Sequence, residues 1–183
     1  MLHTTSTLPL AFASILLLPS VLAQGYNVVN NCDQTVYYQI VDKAWDVQAG
    51  SLESCESFPF GYHSFGDIAS DNSTSVKLNF QDSFYNTEIL QFEFVNEADG
   101  NGGEVIWYDI STVNGDPFRQ YPKSVIPSYA SGPAPASCVP VIANAGDESD
   151  TLYQGHYEPN YNCEGTDQEG NPLMLTMYLC SLD

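Results

Sequence analysis

Apolar and polar residues alternate with a period of two over several short stretches of this chain. Ser75 to Phe80 sets Val76, Leu78 and Phe80 on one side and Lys77 and Asn79 on the other. Glu88 to Val95 sets Leu90, Phe92 and Phe94 against Ile89, Gln91, Glu93 and Val95. Leu173 to Cys180 lines up Leu173, Leu175, Met177 and Leu179. A period of two is the mark of a half-buried β-strand. Tyr26 to Asn30 and Thr35 to Val41 are further β-like runs, separated by the turn signal Asn31-Cys32-Asp33-Gln34. Leu52 to Phe60 fits neither period cleanly.

The most informative stretch is Glu104 to Phe118, EVIWYDISTVNGDPF. Aromatic and β-branched residues from Val105 to Ile110 predict a strand. Large apolar groups fall on both of its faces, which predicts a central position. Asp109 interrupts one apolar face, and a carboxylate beside Trp107 there needs donors or solvent. Asn114-Gly115 predicts a tight turn, and Pro117 ends any regular ladder. Tyr121 to Pro140 holds prolines at 122, 127, 133, 135 and 140, which argues against helix or central strand. No stretch carries a long amphipathic helical pattern. Short strands separated by turn signals predict an all-β, antiparallel β-sandwich with little helix.

The ends and the charge narrow the class. Leu8 to Leu22 is an apolar run ending Val21-Leu22-Ala23, too short for a comfortable membrane span and suited to signal peptidase. The expectation is a signal peptide over residues 1–23 and one domain over residues 24–183. Removing 23 of the 183 residues leaves 160, enough for a real core. All 23 acidic and 4 basic residues lie outside the leader, so the net charge stays at −19. Such a chain repels nucleic-acid phosphates and anionic membranes, and neither is expected as a partner. Its 13% aromatic content argues for a packed fold rather than disorder. Asn72-Ser73-Thr74 is an N-glycosylation sequon read as part of a polar loop. Cys32, Cys55, Cys138, Cys163 and Cys180 show no short metal-ligand spacing, so no metal and no cofactor are expected. Two disulfides and one odd thiol are the simplest arithmetic, in any of 15 arrangements of these five cysteines.

The Trp-Tyr-Asp-Ile-Ser-Thr-Val-Asn-Gly run from Trp107 resembles the central motif of thaumatin-like proteins, and most of all that of the short fungal yeast-phase-specific antigen family. Val28-Val29-Asn30-Asn31-Cys32 followed by Thr35-Val36-Tyr37-Tyr38 is similar to that family's opening strand pair. Leu52 to Phe58 is similar to a segment that usually has Gly where Cys55 stands. Leu90 to Phe94 is similar to a strand bearing a cleft glutamate. The tail through Cys180 is similar to the fungal branch. The resemblance implies a thaumatin-like sandwich and a Cys32–Cys180 bridge tying first strand to last. A loop that long restricts the unfolded chain by roughly 4–5 kcal/mol in the entropy model. Cys138–Cys163 is the next pairing, leaving Cys55 as a free thiol. The fungal branch usually carries further cysteines between Cys138 and Cys163, and this chain has none.

Many thaumatin-like proteins have a cleft lined by an Arg, a Glu and several Asp. Glu93 and Asp109 match two of those positions, Asn114 stands where an Asp is frequent, and the Arg has no match. Two carboxylates about 5–5.5 Å apart suit retaining glycoside hydrolysis, and roughly 6.5–9.5 Å suits inversion. Whether Glu93 and Asp109 share a face depends on strand register, and a one-residue slip would part them. The weaker signals are the acidic loops Asp147-Glu148-Ser149-Asp150 and Asp167 to Asn171, read as solvated, and Tyr153, Tyr157 and Tyr161 with His156, read as packing. The functional expectation is a secreted, monomeric, non-catalytic protein of the fungal cell wall or extracellular space. It would bind polysaccharide or a host surface protein through the acidic cleft. A weak β-1,3-glucanase using Glu93 and Asp109, and a structural or developmental wall protein without a specific ligand, are the alternatives.

Overall fold

A computed structural model describes residues 25–41, 47–61, 72–129, 131–147 and 161–183. The leader falls outside them, as do Tyr153, His156, Tyr157 and residues 148–150. The described residues form strands and no helix. The strands are β1 (Gly25–Asn30), β2 (Val36–Val41), β3 (Val47–Leu52), β4 (Ser57–Gly61), β5 (Asn72–Asn79) and β6 (Leu90–Ala98). They continue as β7 (Glu104–Ser111), β8 (Lys123–Tyr129), β9 (Gly132–Pro133), β10 (Val141–Ala143), β11 (Tyr161–Glu164) and β12 (Leu173–Leu179). One sheet runs β10-β8-β12-β1-β4, with β9 also on β8, and the other runs β11-β7-β6-β5-β2-β3.

The alternation seen in the sequence decides what lies between the sheets. Leu173, Leu175, Met177 and Leu179 of β12 and Val28 of β1 are fully buried. So are Val76 and Leu78 of β5, Leu90 and Phe92 of β6, and Ile106 and Ile110 of β7. Tyr26 of the first sheet reaches across to Phe94, ring centroids 4.5 Å apart. Each large apolar side chain so buried contributes about 1.5–3 kcal/mol. β7 is flanked by β11 and β6, the central position its two apolar faces predict.

Four details depart from the sequence reading. β1 and β12 pair in parallel, so the sandwich is antiparallel everywhere except at this seam. Asn30 lies opposite Leu179, which brings Cys32 and Cys180 out of the same end of the sheet, where they form a disulfide. An antiparallel pair would put these cysteines at opposite ends. Second, the proline-rich stretch does contain an interior strand. Pro127 of β8 lies opposite Leu175 of β12, but β10 covers only 123–125 and β9 only 128–129. On that side position 127 falls between two short neighbours, where no ladder donor is required. Third, Asn79 is buried rather than outward. It closes the turn after β5, donating to the Ser83 carbonyl at 2.9 Å and Thr87 Oγ1 at 3.2 Å. Fourth, Asn72 is not in a loop but opens β5, opposite Asn96.

Candidate functional site

Register settles the question left open by the sequence. β6 and β7 pair antiparallel with Glu93 directly opposite Asp109 and Gln91 opposite Ser111. Such pairs share a face, with Cβ atoms about 4.5–5.5 Å apart. Phe92, Phe94, Tyr108 and Ile110 turn inward, so the carboxylates stand on the outer face of the second sheet. β5 adds Ser75 beside Glu93 and Lys77 beside Gln91. Trp107 stands two residues from Asp109 on the same face, its indole Nε1 donating to Glu97 Oε2 at 3.0 Å.

Neutral hydrogen-bonding groups frame the pair. Ser75 Oγ donates to Gln91 Oε1 at 3.2 Å, and Gln91 Nε2 donates to Asn114 Oδ1 at 3.1 Å. Asn114 is set by the turn that follows β7. Its carbonyl accepts the Ile89 amide at 3.0 Å, and the Gly115 amide closes onto the Thr112 carbonyl at 2.9 Å. Gly115 has φ +98°, and a Cβ there would come within 2.7 Å of the Glu88 side chain. Only glycine satisfies both conditions, which is the physical content of the Val-Asn-Gly motif.

Both carboxylates are partly buried, and burial is the main electrostatic fact about them. Burial pushes the Asp109 carboxyl up to about 7, the Ile110 amide at 2.7 Å works against the rise, and the neighbouring Glu93 charge adds to it. Burial also raises Glu93, while Ser111 and Lys77 favour its ionised form. The Ser111 hydroxyl is buried and meets no partner at full hydrogen-bond geometry, yet it is near enough to Glu93 to act electrostatically. Two like charges this close titrate as a pair. Burial thus favours the protonated form of both carboxyls, and the pair sets two hydrogen-bonding carboxyl groups side by side, a combination suited to hydroxyl groups.

The remaining sequence-derived residues lie elsewhere. Cys138 is bridged to Cys163, Cys32 to Cys180, and Cys55 is exposed with a free thiol. Structural disulfides belong to an oxidising, extracellular-type compartment. Tyr161 stacks on Tyr108, centroids 6.2 Å apart, and so packs on its own fold. Asp167 receives the Ser131 hydroxyl at 2.6 Å and the Glu169 and Asn171 amides at 2.9 and 2.8 Å, so it organises its own loop. Among the described residues no group of three metal-ligating side chains occurs. The sequence reading missed Gln91, Ser75 and Ser111 as neighbours of the carboxylates on this face. Shared parity along β6 and β7 was the available signal, but it needs the register to be read across strands.

One buried pair carried no sequence signal at all. Lys123 Nζ contacts Asp116 Oδ2 at 2.6 Å, with both side chains almost fully enclosed. Asp116 Oδ1 also accepts the Phe118 amide at 2.9 Å, which clamps the turn below the site to β8.

Comparison with known proteins agrees with this architecture. A family model described as Blastomyces yeast-phase-specific protein matches residues 14–181. No curated protein gives a significant sequence match. Among solved structures, the chain is similar to the protein elicitor MoHrip2 from Magnaporthe oryzae, with TM-score 0.64 and 19% identity, covering 87% of this chain and 100% of that one. It is also similar to the thaumatin-like xylanase inhibitor TLXI, with TM-score 0.50 and 11% identity, covering 85% of this chain and 99% of that one.

Proposed function

Since the chain belongs to the yeast-phase-specific protein family and has a thaumatin-like fold, we propose that it is a secreted, non-catalytic binding protein of the fungal cell wall or extracellular space. Its ligand is a wall polysaccharide, held on the outer face of the second sheet at Glu93 and Asp109. The observation that carries this reading is their direct opposition on β6 and β7, within a frame of Gln91, Ser111 and Asn114. Two carboxyl groups side by side match the paired hydroxyls of a sugar ring, and Trp107 offers an apolar surface next to them. The side chains rise in parallel from one sheet face rather than flanking a bond from two sides, which favours binding over hydrolysis. Residues 1–23 act as the secretory leader, Asn72 carries a glycan, and the protein works as a monomer.

The test is to incubate purified protein with insoluble β-glucan, chitin and cell-wall fractions, then measure depletion from solution and release of reducing sugar. Depletion without sugar release, weakened about tenfold by Glu93→Gln or Asp109→Asn, supports the reading. Sugar release abolished by either substitution replaces it with a β-1,3-glucanase. That second reading has its own support in the direct opposition of the two carboxylates and the raised Asp109 carboxyl. Neither depletion nor release moves the ligand to a host surface protein, a role in keeping with the elicitor among the structural neighbours, or leaves a structural wall protein.

A further inference from the structure

A second concave site lies away from Glu93 and Asp109 and shares no lining residue with them. It is a cleft of about 770 Å³ where the end of β8 meets the loop after β11. That volume is within the range of small-ligand pockets, about 300–1,000 Å³. Tyr129, Pro133 and Pro135 line it, and the Cys138–Cys163 disulfide forms part of its surface. Glu164, Asp167 and Glu169 line it too, and among the described residues no lysine, arginine or histidine does.

The cleft is preformed. Tyr129 Oη donates to the Glu164 carbonyl at 2.9 Å and lies 3.9 and 3.8 Å from the Cys138 and Cys163 sulfurs. Ser131 ties the proline segment to the acidic loop through Asp167 at 2.6 Å. Hydrogen bonds from Ser131, Asn171 and Glu169 hold the Asp167 carboxyl down to about 2, so its charge is present at any ordinary pH. Proline and tyrosine surface in the same cleft as fixed negative charge calls for a ligand with an apolar body and a positive end.

We propose that this cleft is a second binding site, taking an ammonium or guanidinium group carried on an apolar stem. The stem lies along Tyr129, Pro133 and Pro135, and the cation sits among Glu164, Asp167 and Glu169. Two sources share that chemistry, a free polyamine and the basic side chain of a peptide. Calorimetric titration with spermine and with a blocked arginine-glycine-arginine peptide separates them. Binding by either probe, weakened at least tenfold by Glu164→Gln with Glu169→Gln, supports the site. Asp167 is left intact because its loop depends on it. Asp33→Asn with Asp82→Asn, both exposed acids outside the cleft, should leave binding unchanged. Equal weakening by the two double variants would mean diffuse attraction to a chain of net charge −19, and would overturn the site. So would absence of binding by both probes, or competition by ammonium chloride as strong as that by spermine at equal ionic strength. Retention of binding in Glu93→Gln keeps this result independent of the polysaccharide reading.

Discussion

Cys55 shows how much a single backbone angle explains. It has φ +65°, in the left-handed region, with its amide donating to the Asn30 carbonyl at 2.6 Å. An L-residue there carries about 1–2 kcal/mol of strain that glycine avoids. This is the position at which the resembling family segment usually has glycine, so the geometry accounts for that preference. Cys55→Gly should raise stability by about 0.5–1 kcal/mol after the extra entropy of glycine in the unfolded chain is deducted, read as a higher urea midpoint. It should also remove any dimer that forms in oxidising buffer. Asp109 gives a second residue-scale prediction, on pH. Its carboxyl is raised from 3.8 to about 7 in the fold. The folded state therefore holds the proton more tightly than the unfolded chain between those limits, and stability falls as pH rises through them. Thermal midpoints should decline from pH 4 to pH 8, and Asp109→Asn should flatten the decline. A midpoint that rises over that interval would contradict the assigned burial.

Elements show where the sequence is legible and where it is not. β5, β6 and β12 are readable because each alternates against one apolar layer, and β7 because aromatic and β-branched residues fill both of its faces. Glu93 and Asp109 are readable as a pair of interest, but not as neighbours, because pairing register is a property of two strands at once. β8 is unreadable for another reason. Whether Pro127 is tolerated depends on how far β9 and β10 extend, and those are two and three residues long. The Asp116–Lys123 pair is unreadable since a lysine in sequence normally means solvent. Its worth can be measured. Lys123→Met leaves the Asp116 charge enclosed and should cost about 3–5 kcal/mol. Adding Asp116→Asn keeps an acceptor for the Phe118 amide and removes the stranded charge, so the double variant should be more stable than Lys123→Met alone. Chemical denaturation of the three proteins gives the ordering.

At the scale of the whole molecule, two disulfides of very different span hold the sandwich. Cys32 and Cys180 are separated by 148 residues and Cys138 and Cys163 by 25. In the chain-entropy model, replacing the first pair with serine should cost about 4–5 kcal/mol and the second about 3–4 kcal/mol. Denaturation of the two variants tests that order, and a larger loss from the shorter loop would show that local packing around Tyr129 outweighs chain entropy. The parallel seam of β1 and β12 has a further meaning for how the protein comes into being. β12 stands between β8 and β1 and follows both of them in the chain. β1 must therefore wait for β12 to be made before it meets its parallel neighbour. Until Cys180 is made Cys32 has no correct partner, while Cys55, Cys138 and Cys163 appear one after another as wrong ones. Assembly of the first sheet thus waits on β12, and a chain stopped short of Leu173 would leave that sheet split in two, with Cys32 unpartnered.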